Sequence, residues 1–130
     1  MSLTVTLYPN TMLWVDGTQM LVEKRTKLTF ISPAVRWLGN DWVMDAEYAT
    51  TPVKRLYLAI QRADVGPRGG RDAAQRESER IAQSIDSSDA RNAAALARGG
   101  QHYEALKLLR AVIQVEDGAA EPVGSDADAG

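Results

Sequence analysis

The chain has 130 residues, 45% of them apolar and 25% charged, a balance that suits one compact domain or a small domain with appendages. The absence of cysteine excludes disulfides, thiolate metal sites and cysteine nucleophiles, and one histidine, His102, leaves no material for a multi-histidine metal site or a Ser-His relay. The net charge of −2 hides a gradient: residues 1–110 hold all 15 basic and 12 acidic residues, whereas 111–130 hold five acids and no base.

The N-terminus, Met1-Ser2-Leu3-Thr4-Val5-Thr6, lacks the basic segment and hydrophobic block of a secretory signal. The longest apolar runs, Leu56 to Ile60 and Ala93 to Ala97, fall far short of the roughly 18 residues that a membrane span requires. A cytoplasmic protein with no membrane association is the expectation, and an enzyme, a metal site or a bound cofactor is not expected.

Residues 3–31 read as strands. Leu3, Val5 and Leu7 alternate with Thr4 and Thr6, the two-residue period of a half-buried strand. Pro9-Asn10 makes a turn, and Met12 to Val15 resumes extended character. Asp16-Gly17 is a strong hairpin signal, because a type I′ turn needs positive φ at both central positions. Gln19 to Val22 is the return strand, Glu23-Lys24-Arg25 a charged turn, and Lys27 to Ile31 a further strand stopped by Ser32-Pro33. Val35 to Leu38 closes the series before the turn at Gly39-Asn40-Asp41.

Helical signals begin at Thr51-Pro52, a threonine cap followed by proline at the first helical position. Val53, Leu56, Tyr57 and Ile60 then form one apolar face. Gly66-Pro67-Arg68-Gly69-Gly70-Arg71 ends this helix and reads as a flexible connection; it lacks the Gly-Lys-Ser/Thr ending of a phosphate loop. Asp72 to Gln75 resembles a capping box opening a helix to about Ile85, whose thin apolar stripe predicts weak packing or packing through one edge. Asp86 to Asp89 is a turn and cap, and Ala90 to Arg98 an alanine-rich helix ended by Gly99-Gly100. The last helix runs from about Gln101 to Val115, with Tyr103, Leu106, Leu109 and Ile113 as its apolar stripe. Gly118 to Gly130, rich in Ala, Gly, Asp and Ser, has the composition of a disordered tail. The fold class is therefore α+β: a small N-terminal antiparallel β module over 1–48, a C-terminal helical region over 51–116, and an acidic tail over 117–130.

Two groups of residues carry candidate chemistry. Lys24, Arg25 and Lys27 cluster where two strands meet, Arg36 follows the next turn, and Trp14, Trp37 and Trp42 lie in the same half of the chain. Cations beside exposed rings suit single-stranded RNA, whose phosphates take the charges and whose bases stack; the alternative is a solvated turn beside a small core. Lys54 and Arg55 sit at a helix start, which also favours anions, although salt bridges to Asp45 or Glu47 would account for them equally. The stripe of Tyr103, Leu106, Leu109 and Ile113 is buried either within this chain or against a partner.

Thr51-Pro52-Val53-Lys54-Arg55-Leu56-Tyr57-Leu58-Ala59-Ile60-Gln61 resembles the Thr-Pro-x-Lys/Arg-Arg-x-Tyr signature of the FlbT family, flagellar biosynthesis regulators of alphaproteobacteria. Gly100 to Lys107, with Arg110 and Ile113, is similar to that family's Tyr-x-Ala-Leu-Lys helix, and the likeness spans about residues 3–117. The family is more charged where this chain has Trp37-Leu38-Gly39-Asn40-Asp41-Trp42. The resemblance implies a post-transcriptional regulator, in most members a repressor, that associates with the 5′ untranslated region of flagellin mRNA and lowers its translation or stability. It also implies opposition to the companion regulator FlaF as a potential partner. The strands are similar, at the level of fold alone, to the small Csr-type carbon storage regulators. On this reading Lys24, Arg25, Lys27, Arg36, Lys54 and Arg55 contact the flagellin mRNA leader. The alternative is an interaction module that engages FlaF or flagellin through Tyr103, Leu106, Leu109 and Ile113; a homo-oligomer is compatible with either.

Overall fold

A computed structural model describes residues 3–31 and 36–119. Five strands precede four helices, the α+β arrangement expected from the sequence. The strands are β1 (Leu3–Leu7), β2 (Thr11–Val15), β3 (Thr18–Val22), β4 (Thr26–Phe30) and β5 (Trp37–Gly39). The helices are α1 (Pro52–Val65), α2 (Arg71–Ser84), α3 (Ser88–Arg98) and α4 (His102–Ala119). Among the described residues no helix is long and apolar enough to cross a membrane.

The strands form two small antiparallel sheets. One is the β1–β4 pair, with Leu3 opposite Phe30 and Leu7 opposite Thr26; the other has the order β3-β2-β5. The β2–β3 hairpin turns at Asp16 and Gly17, whose φ angles of 48° and 90° are both positive, as a type I′ turn requires. Leu7, Leu13 and Val22 form the buried centre between the sheets, with Val5, Val15, Leu28 and Trp37 packed around it. Asn40, at φ 53°, closes this end by donating to the Thr6 carbonyl (3.0 Å) and accepting from the Tyr8 amide (3.2 Å). The strand expected over Val35 to Leu38 begins at Trp37 and ends at Gly39, and the expected Ser32-Pro33 stop lies outside the described residues.

The second core is built around α1. Val53, Leu56, Tyr57 and Ile60 are all buried, and Ala90, Ala93, Ala94 and Ala97 of α3 meet them together with Leu106 and Leu109 of α4. Leu38 from β5 joins this cluster and Trp14 from β2 packs against it. Small residues on α3 let the helix backbones approach closely, so dispersion contacts accumulate without large side chains.

Three expectations fail for identifiable reasons. The segment 66–71 is docked rather than loose: Arg68–Gly70 form a 3-10 turn, and the Gly17 amide donates to the Val65 carbonyl at 2.8 Å. That turn runs straight into α2, so Asp72 falls inside the first helical turn and caps nothing, and Gln75 instead donates to Glu79 at 2.9 Å. Of the two packing modes expected for α2, the structure shows packing through one edge. It lies along α1 with Ser78, Ile81 and Ala82 buried, the Ser78 hydroxyl being satisfied by the Gln75 carbonyl at 2.6 Å. The last helix also runs beyond Val115, so Glu116, Asp117 and Gly118 are helical; the rest of the expected tail, 120–130, lies outside the described residues.

Candidate functional site

The first turn of α1 and the loop before it form a single hydrogen-bonded unit. Thr51 accepts from the Lys54 amide at 3.2 Å and donates its hydroxyl to Glu116 at 3.0 Å, while Pro52 occupies the first helical position. One turn further, the Tyr57 hydroxyl donates to the Trp42 carbonyl at 2.6 Å, and burial pushes this phenol above its ordinary pKa. After another turn Gln61, fully buried, accepts from the Met44 amide (2.8 Å) and donates to the Met44 carbonyl (3.1 Å). Thr51, Pro52, Tyr57 and Gln61 are thus architectural: they cap α1 and hold residues 42–44 against it. Arg55 is the exception in this stretch, exposed and without a carboxylate partner among the described residues.

The six basic candidates fall in three separate places. Lys24 and Arg25 on the β3–β4 turn and Lys27 at the start of β4 are all exposed, and none of them pairs with a carboxylate among the described residues. Beside them opens an apolar cleft of about 380 Å³ whose rim includes Met20, Leu21 and Lys24. Arg36 is committed elsewhere, to Asp64 near the end of α1 at 2.5 Å. Lys54 and Arg55 lie at the opposite end of that helix, roughly 15 Å away along its axis at 1.5 Å per residue. Lys54 pairs with Asp117 at 3.2 Å, not with Asp45 or Glu47.

The four partner-binding candidates also divide. Leu106 and Leu109 are 0% exposed inside the α1–α3–α4 core, which removes them from any partner surface. The reason is geometric: α4 turns this stripe toward α1 and α3, and both helices are present to cover it. Tyr103, at 52% exposure, and Ile113, half-buried, remain accessible. Tyr103 leans on Trp42 with ring centres 5.2 Å apart, and the Arg110 guanidinium lies 4.3 Å over the same indole while pairing with Asp41. An open cavity of about 320 Å³ between Tyr48, Tyr57, Arg110 and Ile113 adjoins this aromatic cluster. Trp37 instead stacks on Phe30, 5.1 Å between centres.

One cluster escaped the reading of the sequence. Asp16, at the tip of the β2–β3 hairpin, accepts from Arg68 (2.8 Å) and Arg71 (2.6 Å), and Arg71 also donates to the Gly66 carbonyl at 2.8 Å. The two guanidinium groups hold the Asp16 carboxyl below its ordinary value. A Cβ added at Gly17 would stand 3.0 Å from the Pro67 Cα, so glycine there serves the docking as well as the turn. The available signal was the pairing of an Asp-Gly turn with an arginine on either side of two glycines, with 52 residues from Asp16 to Arg68. Nearby, His102 faces Asp64 and Arg36; burial lowers its pKa, and the Asp64 charge partly opposes that. Among the described residues no group of three His, Cys, Asp or Glu is placed to hold a metal ion.

Residues 3–119 match the family model described as flagellar protein FlbT. The chain is 29% identical over 122 residues to the probable flagellum biosynthesis repressor protein FlbT of Mesorhizobium japonicum, covering 88% of this chain and 82% of that one. A protein of the same name from a Chelativorans species is 29% identical over 117 residues, covering 81% and 77% of the two chains. That of Agrobacterium fabrum is 21% identical over 123 residues, covering 89% and 82%. No solved structure matches the chain at a significant level, and the fold-level analogy with Csr-type regulators carries no argument further.

Proposed function

The chain belongs to the FlbT family of flagellar proteins, and from that premise we propose that it represses flagellin expression after transcription, by associating with the 5′ untranslated region of flagellin mRNA and lowering its translation or stability. The supporting observation is the β3–β4 turn and the start of β4, where Lys24, Arg25 and Lys27 stand exposed without carboxylate partners among the described residues. Cations left free in this way are available to phosphates at no cost in broken ion pairs. Arg36 and Lys54, by contrast, are held by Asp64 and Asp117, so they enter this reading as structural residues rather than RNA contacts. Arg55 remains a second, separate contact point. The relatives named as repressors of flagellum biosynthesis supply the direction of the effect.

The test is a titration of the purified protein with a labelled flagellin leader at two salt concentrations. Binding at low salt should weaken steeply with added salt, by a log-log slope of about 0.7 for each single-strand phosphate neutralised. A variant carrying K24E, R25E and K27E should lose about 2 units of that slope, whereas K107E should keep it. Binding that ignores salt, or that survives the triple reversal, overturns the assignment.

A second reading, an interaction module acting on FlaF or flagellin, rests on the exposed Tyr48 and Tyr103 beside the cavity at Ile113. It predicts that Y48A with Y103A abolishes partner capture without loss of RNA binding.

A further inference from the structure

We propose that the groove between α1 and α2 seats the acidic end of this same chain, residues 120–130, with Arg55 and Arg62 as its anion contacts. Arg55 and Arg62 are seven positions apart on α1, which places them on one face and roughly 10 Å apart along the axis. Both are exposed, both line this groove of about 480 Å³, and neither has a carboxylate partner among the described residues. Leu58, Ala73 and Ala74 leave the space between the helices open. The groove's own carboxylate, Glu77, is held by Arg80 through two bonds of 2.9 and 2.5 Å, so it subtracts little from the positive field.

The acidic end leaves the fold beside this groove. Glu116 receives the Thr51 hydroxyl and Asp117 pairs with Lys54, the residue next to Arg55. Two acids at the C-terminal end of α4 oppose that helix's own dipole, and their position on the first turn of α1 offsets the penalty. Three residues after Asp117 begins a stretch with three acids, Glu121, Asp126 and Asp128, and no base. Eleven residues at about 3.3 Å each reach some 36 Å, ample for a groove whose two cations are about 10 Å apart. Charge, length and point of departure all fit one occupant.

The test uses the full chain, which has no native cysteine, with a nitroxide attached through A129C. At low salt the label should broaden the amide signals of Arg62, Ala73 and Ala74, and added salt should restore them. E121Q with D126N and D128N should abolish the broadening; R55E with R62E should do the same. Absence of broadening at these amides, or broadening that survives neutralisation of the three acids, overturns the proposal. So does broadening that arises only from a labelled second copy mixed with an unlabelled one, which would assign the contact to an oligomer. No RNA is present in the sample, so the result stands or falls independently of the mRNA reading.

Discussion

At Met44 the backbone finds its hydrogen-bond partner in a side chain instead of a strand: the amide of Gln61 meets both its N–H and its C=O, at 2.8 and 3.1 Å. Removing that amide leaves two partly buried backbone groups unpaired, at about 1–3 kcal/mol each. Gln61→Ala should therefore cost about 2–6 kcal/mol in urea unfolding, while Tyr57→Phe, which forfeits only the hydroxyl bond to Trp42, should cost about 1 kcal/mol. Acid should remove stability in two stages. His102 has a folded pKa below 6.5, so the native state binds fewer protons than the unfolded chain and stability falls as the pH drops from that value. Asp16 has a folded pKa below 3.8, so its contribution is complete above that pH and is lost as the pH falls through the lower folded value. Unfolding midpoints measured against pH should lose the first stage in H102Q and the second in D16N. Asparagine tolerates the positive φ of position 16, so D16N keeps the turn while removing the charge.

Among the elements, α4 divides its stripe most sharply. Leu106→Ala empties a fully buried site and should cost about 2–5 kcal/mol, measured by urea unfolding. Tyr103→Ala, at a half-exposed position, should cost far less. Elements with local signals were legible in the sequence: the Asp16-Gly17 turn, the Thr51-Pro52 start of α1 and the apolar periodicity of α1 and α4 all depend on neighbours within a few residues. Asp72 departs from the expected cap because capping depends on the preceding turn as well as on side-chain spacing. The thin stripe of α2 suffices because a hydroxyl such as that of Ser78, once bonded to its own helix, can be buried and lets the two helices approach closely.

At the scale of the whole molecule, the sequence could list cations but not say which were free. Lys24 and Arg36 look alike in composition; only the placement of Asp64, 28 residues from Arg36, commits one and spares the other. Likewise the link from Asp16 to Arg68 and Arg71 crosses from the sheets to the helices over more than fifty positions and has no local signature. Contacts of such sequence separation turn the glycine-rich segment 66–71 from an apparent spacer into a clasp. Helix α4 has a consequence for how the protein is made. Leu106 and Leu109 complete the core that Leu56 and Ile60 begin, yet they are translated some fifty residues later. A nascent chain on the ribosome therefore holds Leu56 and Ile60 uncovered until the final helix emerges, and premature termination before it yields a product that chaperones and proteases will recognise as unfinished.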